Sequence, residues 1–364
     1  MSLLRLVFIT VLAGSQIAHA YDLSVSKLSE SPLVKKVRVH EALTLATLKC
    51  ADLPDAGPLG CLSEEAFRTV TAPADSHTEV NRFPSDDAGV TALVLEGVRW
   101  PDDPDRNGIV ENVPAHIGMC VGLSRTYGDF AKKTCLSHYG RLQSFHAMEP
   151  IPTKTSPERI GIETLLDLLL PIAAGQVPPE TIVDEKGKLP AAQIAARLFP
   201  LAAGKGYDFD WLFGTNCKLQ KVPSKCDTES LTQLQLQSFA LGAVLHIIQD
   251  SFARAHAFRP DAPKTTGAVI SCAPIYGFFS YPTQKKERHE AADQFPTFDA
   301  NCLDVERKID DPITAGAQVI KRLRAGDDPR LIKDYLLGSV FARAQVRTPE
   351  LDAAFEARKK SFAK

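Results

Sequence analysis

Beyond its first twenty residues the chain has no run long and apolar enough to span a membrane. Its nearest candidate, Leu165–Gly175, is too short and is interrupted by Asp167 and Pro171. An excess of one charge is also lacking. The sequence has 42 Lys and Arg against 44 Asp and Glu, a formal net charge of -2, so no strong field draws it to nucleic acid or an anionic membrane. No C-x2-C pair suggests a zinc knuckle. A nucleophilic-serine elbow, a phosphate-cradling loop and a dinucleotide fingerprint are missing too. Strand patterns are few, and there is no internal repeat or low-complexity tract.

What is present begins with a three-part N-terminus. Arg5 gives a positive start, Leu6 to Ala13 an apolar run, and Ala18-His19-Ala20 a small-x-small cleavage site before Tyr21. Residues 1–20 are therefore expected to be a signal peptide, and residues 21–364 a secreted or periplasmic protein. Eight cysteines, all after that site, fit an oxidising compartment. Neighbours in sequence could pair, but spacing does not select a connectivity. With 44% hydrophobic residues over 364 positions, the chain can bury a sizeable core.

The expected class is all-α, in one multi-helical domain. Leu33, Val37, His40, Thr44 and Leu48 share a face at helical spacing. A short helix is expected over Ser63–Val70. Residues 115–148 alternate between helical and irregular readings, and their latter part, ending in CLSHYGRLQSFHAMEP, reads as helical. Residues 149–227, rich in proline, look like an irregular insertion around helices at Glu163–Leu170 and Ala191–Leu198. Thr228 is expected to cap a long helix from Glu229 to about Phe258, ended by Pro260, with Leu234, Leu241, Leu245, Ile248 and Phe252 as its core stripe. The tail reads as helices near Ile313–Arg324, Leu331–Ala344 and Pro349–Phe362, the last capped by Thr348.

The stretch LGAVLHIIQDSFARAHAFRP holds His246, Asp250 and His256 in the pattern H-x3-D-x5-H. His246 and Asp250 leave one face of a helix a turn apart, while His256 points away from it, as a ligand to a second ion would. A second H-x3-D pair follows at His289 and Asp293. Imidazole nitrogen and carboxylate oxygen are zinc donors, and ions held together can clamp a phosphodiester. Asp250, lying between two histidines, is the natural bridging carboxylate. Arg254, inside the motif, could reach a phosphate. Asp103-Pro-Asp105-Arg-Asn107-Gly108 starts like a calcium loop, but Pro114 stands where the closing glutamate belongs.

LHIIQDSFARAH followed by HEAAD resembles the zinc-dependent phospholipase C and single-strand-specific nuclease superfamily, over about residues 236–296. The resemblance implies an exported helical phosphodiesterase with two or three zinc ions. By resemblance, His246 and Asp250 serve one zinc, His256, His289 and Asp293 a second, and Asp250 with His40 a third. Asp102 in Trp100-Pro101-Asp102 matches an aspartate of the family, with Asp103 as the competing choice. The further histidine of the first site is best matched by His146, with His138 and His116 as rivals. Asp102 and Asp250 are the carboxylates on which catalysis is expected to depend. One departure concerns the mature N-terminus. The family begins with a tryptophan whose amine binds zinc, whereas Tyr21 lies nineteen residues before His40. The implied activity is phospholipase C-like hydrolysis, with a phospholipid or other phosphodiester as substrate. The alternative is a nuclease acting on single-stranded nucleic acid. A different class, a non-catalytic exported binding protein stabilised by metal, remains open. The aromatic segment Ile275–Pro282 is expected to provide an apolar approach surface or a stacking ring.

Overall fold

A computed structural model describes residues 39–52, 88–102, 120, 133–150, 160–200, 206–213, 231–260, 274–285, 288–289, 292 and 311–363. These are mostly helical, with strand limited to a two-stranded antiparallel ribbon of β1 (Ala257–Phe258) and β2 (Gly277–Phe278). No helix among the described residues is long and apolar enough to cross a membrane. The expected signal peptide, the Ser63–Val70 helix, Thr228 and the Asp103–Gly108 loop lie outside the described residues.

The element that positions the rest is α7 (Gln233–Asp250). Its N-cap, Thr232, accepts a hydrogen bond from Gln235 N–H at 3.3 Å, and Gln235 Oε1 accepts from Thr232 N–H at 2.9 Å. This reciprocal pair satisfies two donors that the first turn leaves open. From Leu236 onward the helix is buried on nearly every side, so its core pattern is not one stripe. Leu245, Ile248 and Phe252 are buried, but Leu234 is 56% exposed because it stands on the first turn.

The helix also stops earlier than its apolar periodicity suggests. The Ser251 hydroxyl donates to the Ile248 carbonyl at 2.7 Å, competing with the backbone ladder as serine does near helix ends. Tight turns follow, with Phe252 N–H on Gln249 O, Ala253 N–H on Asp250 O and His256 N–H on Ala253 O. The chain is off the helix well before Pro260.

Two other helices bring the site together around α7. α1 (Val39–Asp52) is buried along most of its length, with His40 and Thr44 inside and Leu48 half-buried. α2 (Ala88–Arg99) crosses α7 at two glycines. A Cβ on Gly242 would stand 2.0 Å from Val94 O, and one on Gly97 would stand 2.0 Å from Phe239 O. Only glycine lets the two backbones touch there. Just past α2, Trp100 is 2% exposed and wedges edge-on against Phe145 and Phe213, with ring centroids 5.1 and 5.0 Å apart. That anchor fixes the turn carrying Asp102.

α3 (Lys133–Tyr139) and the 3-10 turn Gln143–His146 fold back on each other through Gly140. Cys135 of α3 is disulfide-bonded to Cys120, a pair of sequence neighbours. The region read as a proline-rich insertion contributes core helices. α4 (Ile162–Ala173) buries leucines around its circumference and packs on α7, and α5 (Pro190–Leu198) packs on α4. The short α6 (Phe209–Phe213) sets Phe213 against Trp100 and against Phe239 of α7.

α8 (Pro312–Ala325) is capped by Asp311, whose carboxylate accepts from Ile313 and Thr314 N–H, and ends at Gly326 with φ 78°. It packs on α1. α9 (Pro329–Tyr335) widens into a π-turn at Leu336–Val340 and ends there, short of the expected Ala344. α10 (Pro349–Phe362) has the expected bounds and cap. It lays Phe355 and Phe362 against Phe279.

Candidate metal centre

Among the described residues, six histidines and two aspartates converge at the C-terminal end of α7, and none is more than 3% exposed. They come from separate elements: His40 from α1, Asp102 from the turn after α2, His138 from α3, His146 from the 3-10 turn. His246 and Asp250 come from α7, His256 from the turns beyond it, and His289 from a short helical piece after the Tyr281–Thr283 turn. Asp293 and His116 lie outside the described residues, as do Asp103 and Tyr21.

The Asp250 carboxylate is the hub. Its Oδ2 is 2.9 Å from His246 Nε2, 3.2 Å from His146 Nδ1 and 3.6 Å from His256 Nδ1. Its Oδ1 is 3.4 Å from His40 Nε2. His246 Nε2 and His146 Nδ1 are themselves 3.1 Å apart. Asp102 joins from the other side, with Oδ1 3.6 Å from His146 Nδ1 and 3.8 Å from His138 Nε2. Among the described residues, three sets of donor atoms have the spacing of ligands to one ion: His40–Asp102–His246, Asp102–His138–His146 and His146–His246–Asp250. The structure thus brings together seven of the eight expected ligands. It also places both His138 and His146 beside Asp102, where the sequence offered them as alternatives.

The imidazoles are oriented by oxygen acceptors behind them. His246 Nδ1 donates to Val98 O at 2.6 Å, and His256 Nδ1 donates to His146 O at 2.5 Å. His40 Nδ1 donates to Gln249 Oε1 at 2.7 Å, and Gln249 Nε2 in turn donates to Thr44 Oγ1 at 3.0 Å. His289 Nδ1 donates to Gln284 Oε1 at 2.9 Å, and Gln284 Nε2 donates to Ala255 O at 2.7 Å. A neutral ring with its proton on Nδ1 presents a lone pair at Nε2. Four rings therefore turn lone pairs inward, and His256 Nε2 and His289 Nε2 face each other at 3.2 Å. Two such lone pairs repel unless a cation or proton lies between them. Histidines that ligate metals are oriented in this way.

The electrostatics agree with that reading. Burial pushes His246 down to about 3 and lowers His146 as well, so both rings are neutral at pH 7. Burial alone would raise Asp250. The surrounding His256, His246 and His40 and the hydrogen bond from His146 outweigh it, holding the carboxylate well below its usual range. An anionic oxygen donor amid neutral nitrogen donors is a chemistry zinc accepts. Two buried atoms at the centre, His146 Nε2 and Asp250 Oδ1, make no hydrogen bond, so the donor set has capacity left for an ion.

Sequence reasoning did not single out Gln249, Gln284, Ser137 or the carbonyls of Val98 and His146. The glutamines had no spacing pattern to mark them, and the carbonyls depend on tertiary contact. Arg254, half-buried in the turns between Asp250 and His256, is lowered by burial and by Arg358 of α10. The aromatic segment expected as an open surface is largely closed. Ile275, Tyr276, Phe279 and Tyr281 are buried, with Phe279 stacked on Phe355 and Tyr281 against His289.

Comparison with protein-family models, with curated proteins and with solved structures gave no match. The resemblance noted above therefore rests on the motif residues alone. The geometry itself supports one chemical capacity, the binding of metal ions by buried histidine and aspartate side chains.

Proposed function

We propose that this chain is an exported zinc-dependent phosphodiesterase, phospholipase C-like in its substrate class. The observation carrying the reading is the ring of inward lone pairs around Asp250, contributed by helices and turns far apart in sequence. The H-x3-D-x5-H pattern and the following H-x3-D match it to phosphodiester chemistry. Export rests on the signal-like N-terminus and is consistent with the Cys120–Cys135 disulfide.

The ligands are His40, Asp102, His146, His246, Asp250, His256, His289 and Asp293, holding two or three ions. When bound, zinc polarises a phosphoryl oxygen and brings the pKa of water down to about 7. The chain's own part is positioning. Asp250 offers one carboxylate oxygen to His246 and His146 and the other toward His40, the arrangement of a bridging ligand. Gln249, Gln284 and two backbone carbonyls hold the imidazole protons outward. Near-zero exposure keeps bulk water from screening these groups. The small net charge and the lack of a basic tract favour a phospholipid or small phosphoester over a polyanion.

The test is direct. Wild type purified with zinc should hydrolyse bis(p-nitrophenyl) phosphate, and Asp250→Ala should lose both metal and activity. Phosphatidylcholine assayed beside single-stranded DNA separates the two substrate classes. An Asp250→Ala protein that cleaves as fast as wild type overturns the proposal. A single tightly held zinc with no hydrolysis would indicate a metal-stabilised binding protein instead.

A further inference from the structure

The resemblance provides for one histidine between Asp102 and His246, but the structure places two at the same carboxylate. Building on the metal reading above, we propose that His138 is a metal ligand in its own right. With Asp102 it offers donors for a divalent cation beside the one around Asp250, and His146 lies within reach of either position.

Geometry carries this assignment. His138 Nε2 lies 3.8 Å from Asp102 Oδ1, and His146 Nδ1 lies 3.6 Å from the same oxygen. Both separations are too long for hydrogen bonds. They are close to the edge of a tetrahedron whose metal–ligand bonds are about 2.0 Å, which is about 3.3 Å. One donor atom from each of the three residues falls within 4.8 Å of the others. A histidine serving only as a core hydrogen-bonding group to Asp102 would close that gap.

The local structure prepares His138 for ligation. Ser137 Oγ is 3.0 Å from His138 Nδ1 and can accept its proton, which leaves the Nε2 lone pair toward Asp102. The ring is 3% exposed, tilted against His146 at 4.5 Å and met edge-on by Tyr281 at 5.3 Å. Its helix is fixed one turn earlier by the disulfide between Cys135 and Cys120. Nearby, His146 Nε2 is buried and makes no hydrogen bond. The Asp102 carboxylate would then link this position to its neighbour, as Asp250 links the others.

Cobalt(II) titration followed by its visible absorption, with zinc counted per chain, tests the idea without relying on catalysis. The variants are His138→Gln, which removes the ligand, and Ser137→Ala, which leaves the ligand but frees its tautomer. The His138→Gln protein should lose one cation equivalent or bind it at least ten-fold more weakly, with a changed cobalt spectrum. The Ser137→Ala protein should show a weaker effect of the same sign. Circular dichroism of the chelated proteins checks folding, and Ser137→Ala decides alone if His138→Gln does not fold. Cobalt binding and spectra identical to wild type in the folded variants would overturn the role of His138 and leave the wider reading standing. A wild type that takes up no cobalt would overturn both.

Discussion

Replacing Gly242 with alanine probes the link between helix crossing and site geometry. The new Cβ would stand 2.0 Å from Val94 O, 2.6 Å from Val98 N and 2.8 Å from Gly97 C. All three are backbone atoms of α2, so no side chain can swing away to make room. Ordinary contact begins near 3.4 Å, and α2 must therefore retreat by about 1.4 Å. The bond from His246 Nδ1 to Val98 O, now 2.6 Å, would open to about 4 Å, beyond hydrogen-bonding range. Overpacking of this kind costs about 1–3 kcal/mol, and the lost buried hydrogen bond about 1 kcal/mol more. The higher helix preference of alanine returns about 1 kcal/mol. The net expectation is a loss of about 1–3 kcal/mol in chelated protein, measured by urea denaturation followed by circular dichroism. Freed of its carbonyl partner, His246 should also bind cobalt about 10–100-fold more weakly. Gly338→Ala is the control, because a Cβ there meets nothing within 4 Å. If Gly242→Ala matched wild type in both stability and cobalt affinity, the backbone contact would not be what sets the site.

Three further outcomes are expected. Gln249→Leu and Gln284→Leu should each lower cobalt affinity about 10–100-fold by removing the oxygen that holds an imidazole proton, and wild-type affinity in both would refute the orienting role. Thr232→Ala should cost about 1 kcal/mol in urea denaturation through loss of its cap while leaving metal binding intact; a matching loss of metal would show that the two ends of α7 are coupled. Chelated protein should weaken as pH falls from about 6.5 toward about 3, because unfolded His246 takes up a proton in that window and the buried ring does not. His246→Gln should flatten part of that slope in urea midpoints measured from pH 7 to 4, and equal slopes would count against the burial argument.

The sequence made some of this legible because the relevant physics is local. Thr348 and Pro349 mark the start of α10 whatever surrounds it, and its bounds agree with the structure. His246 and Asp250 are four apart on a helix, so their shared face follows from the helical repeat. Where the chain failed to announce itself, the deciding contact was tertiary or a single side chain. The end of α7 is set by the Ser251 hydroxyl, within an apolar pattern that runs on unbroken through Phe252 and Ala253. The proline-rich stretch after residue 149 looked like an insertion, yet the leucines of α4 are buried against α7 and neighbouring helices. His138 and His146 could not both be chosen from spacing, because their meeting at Asp102 depends on the reversal at Gly140. Gly97 and Gly242 permit the crossing of α2 and α7 by lacking side chains, and spacing within either helix does not show that they meet.

Two buried carboxylates near each other in this fold are neutralised in different ways, and the contrast bears on what the site is for. Glu41, the residue after His40, is fully buried and pairs with the Arg99 guanidinium at 2.9 Å. That is a permanent countercharge with donors of its own. Asp250 is equally buried, but its ion-pair contacts among the described residues are all imidazoles: His40, His146, His246 and His256. Of these, His146 and His246 are kept neutral by burial, and His40, His246 and His256 have their Nδ1 protons directed outward to oxygen acceptors. Their inner nitrogens face the carboxylate and are the atoms a metal would use. Leaving a carboxylate buried without countercharge costs several kcal/mol, and the fold can supply arginine where only neutralisation is needed. Around Asp250 it supplies imidazole nitrogens, which can also hold a cation. That difference between Glu41 and Asp250 favours a site built to take up metal over a charge network that merely holds helices together.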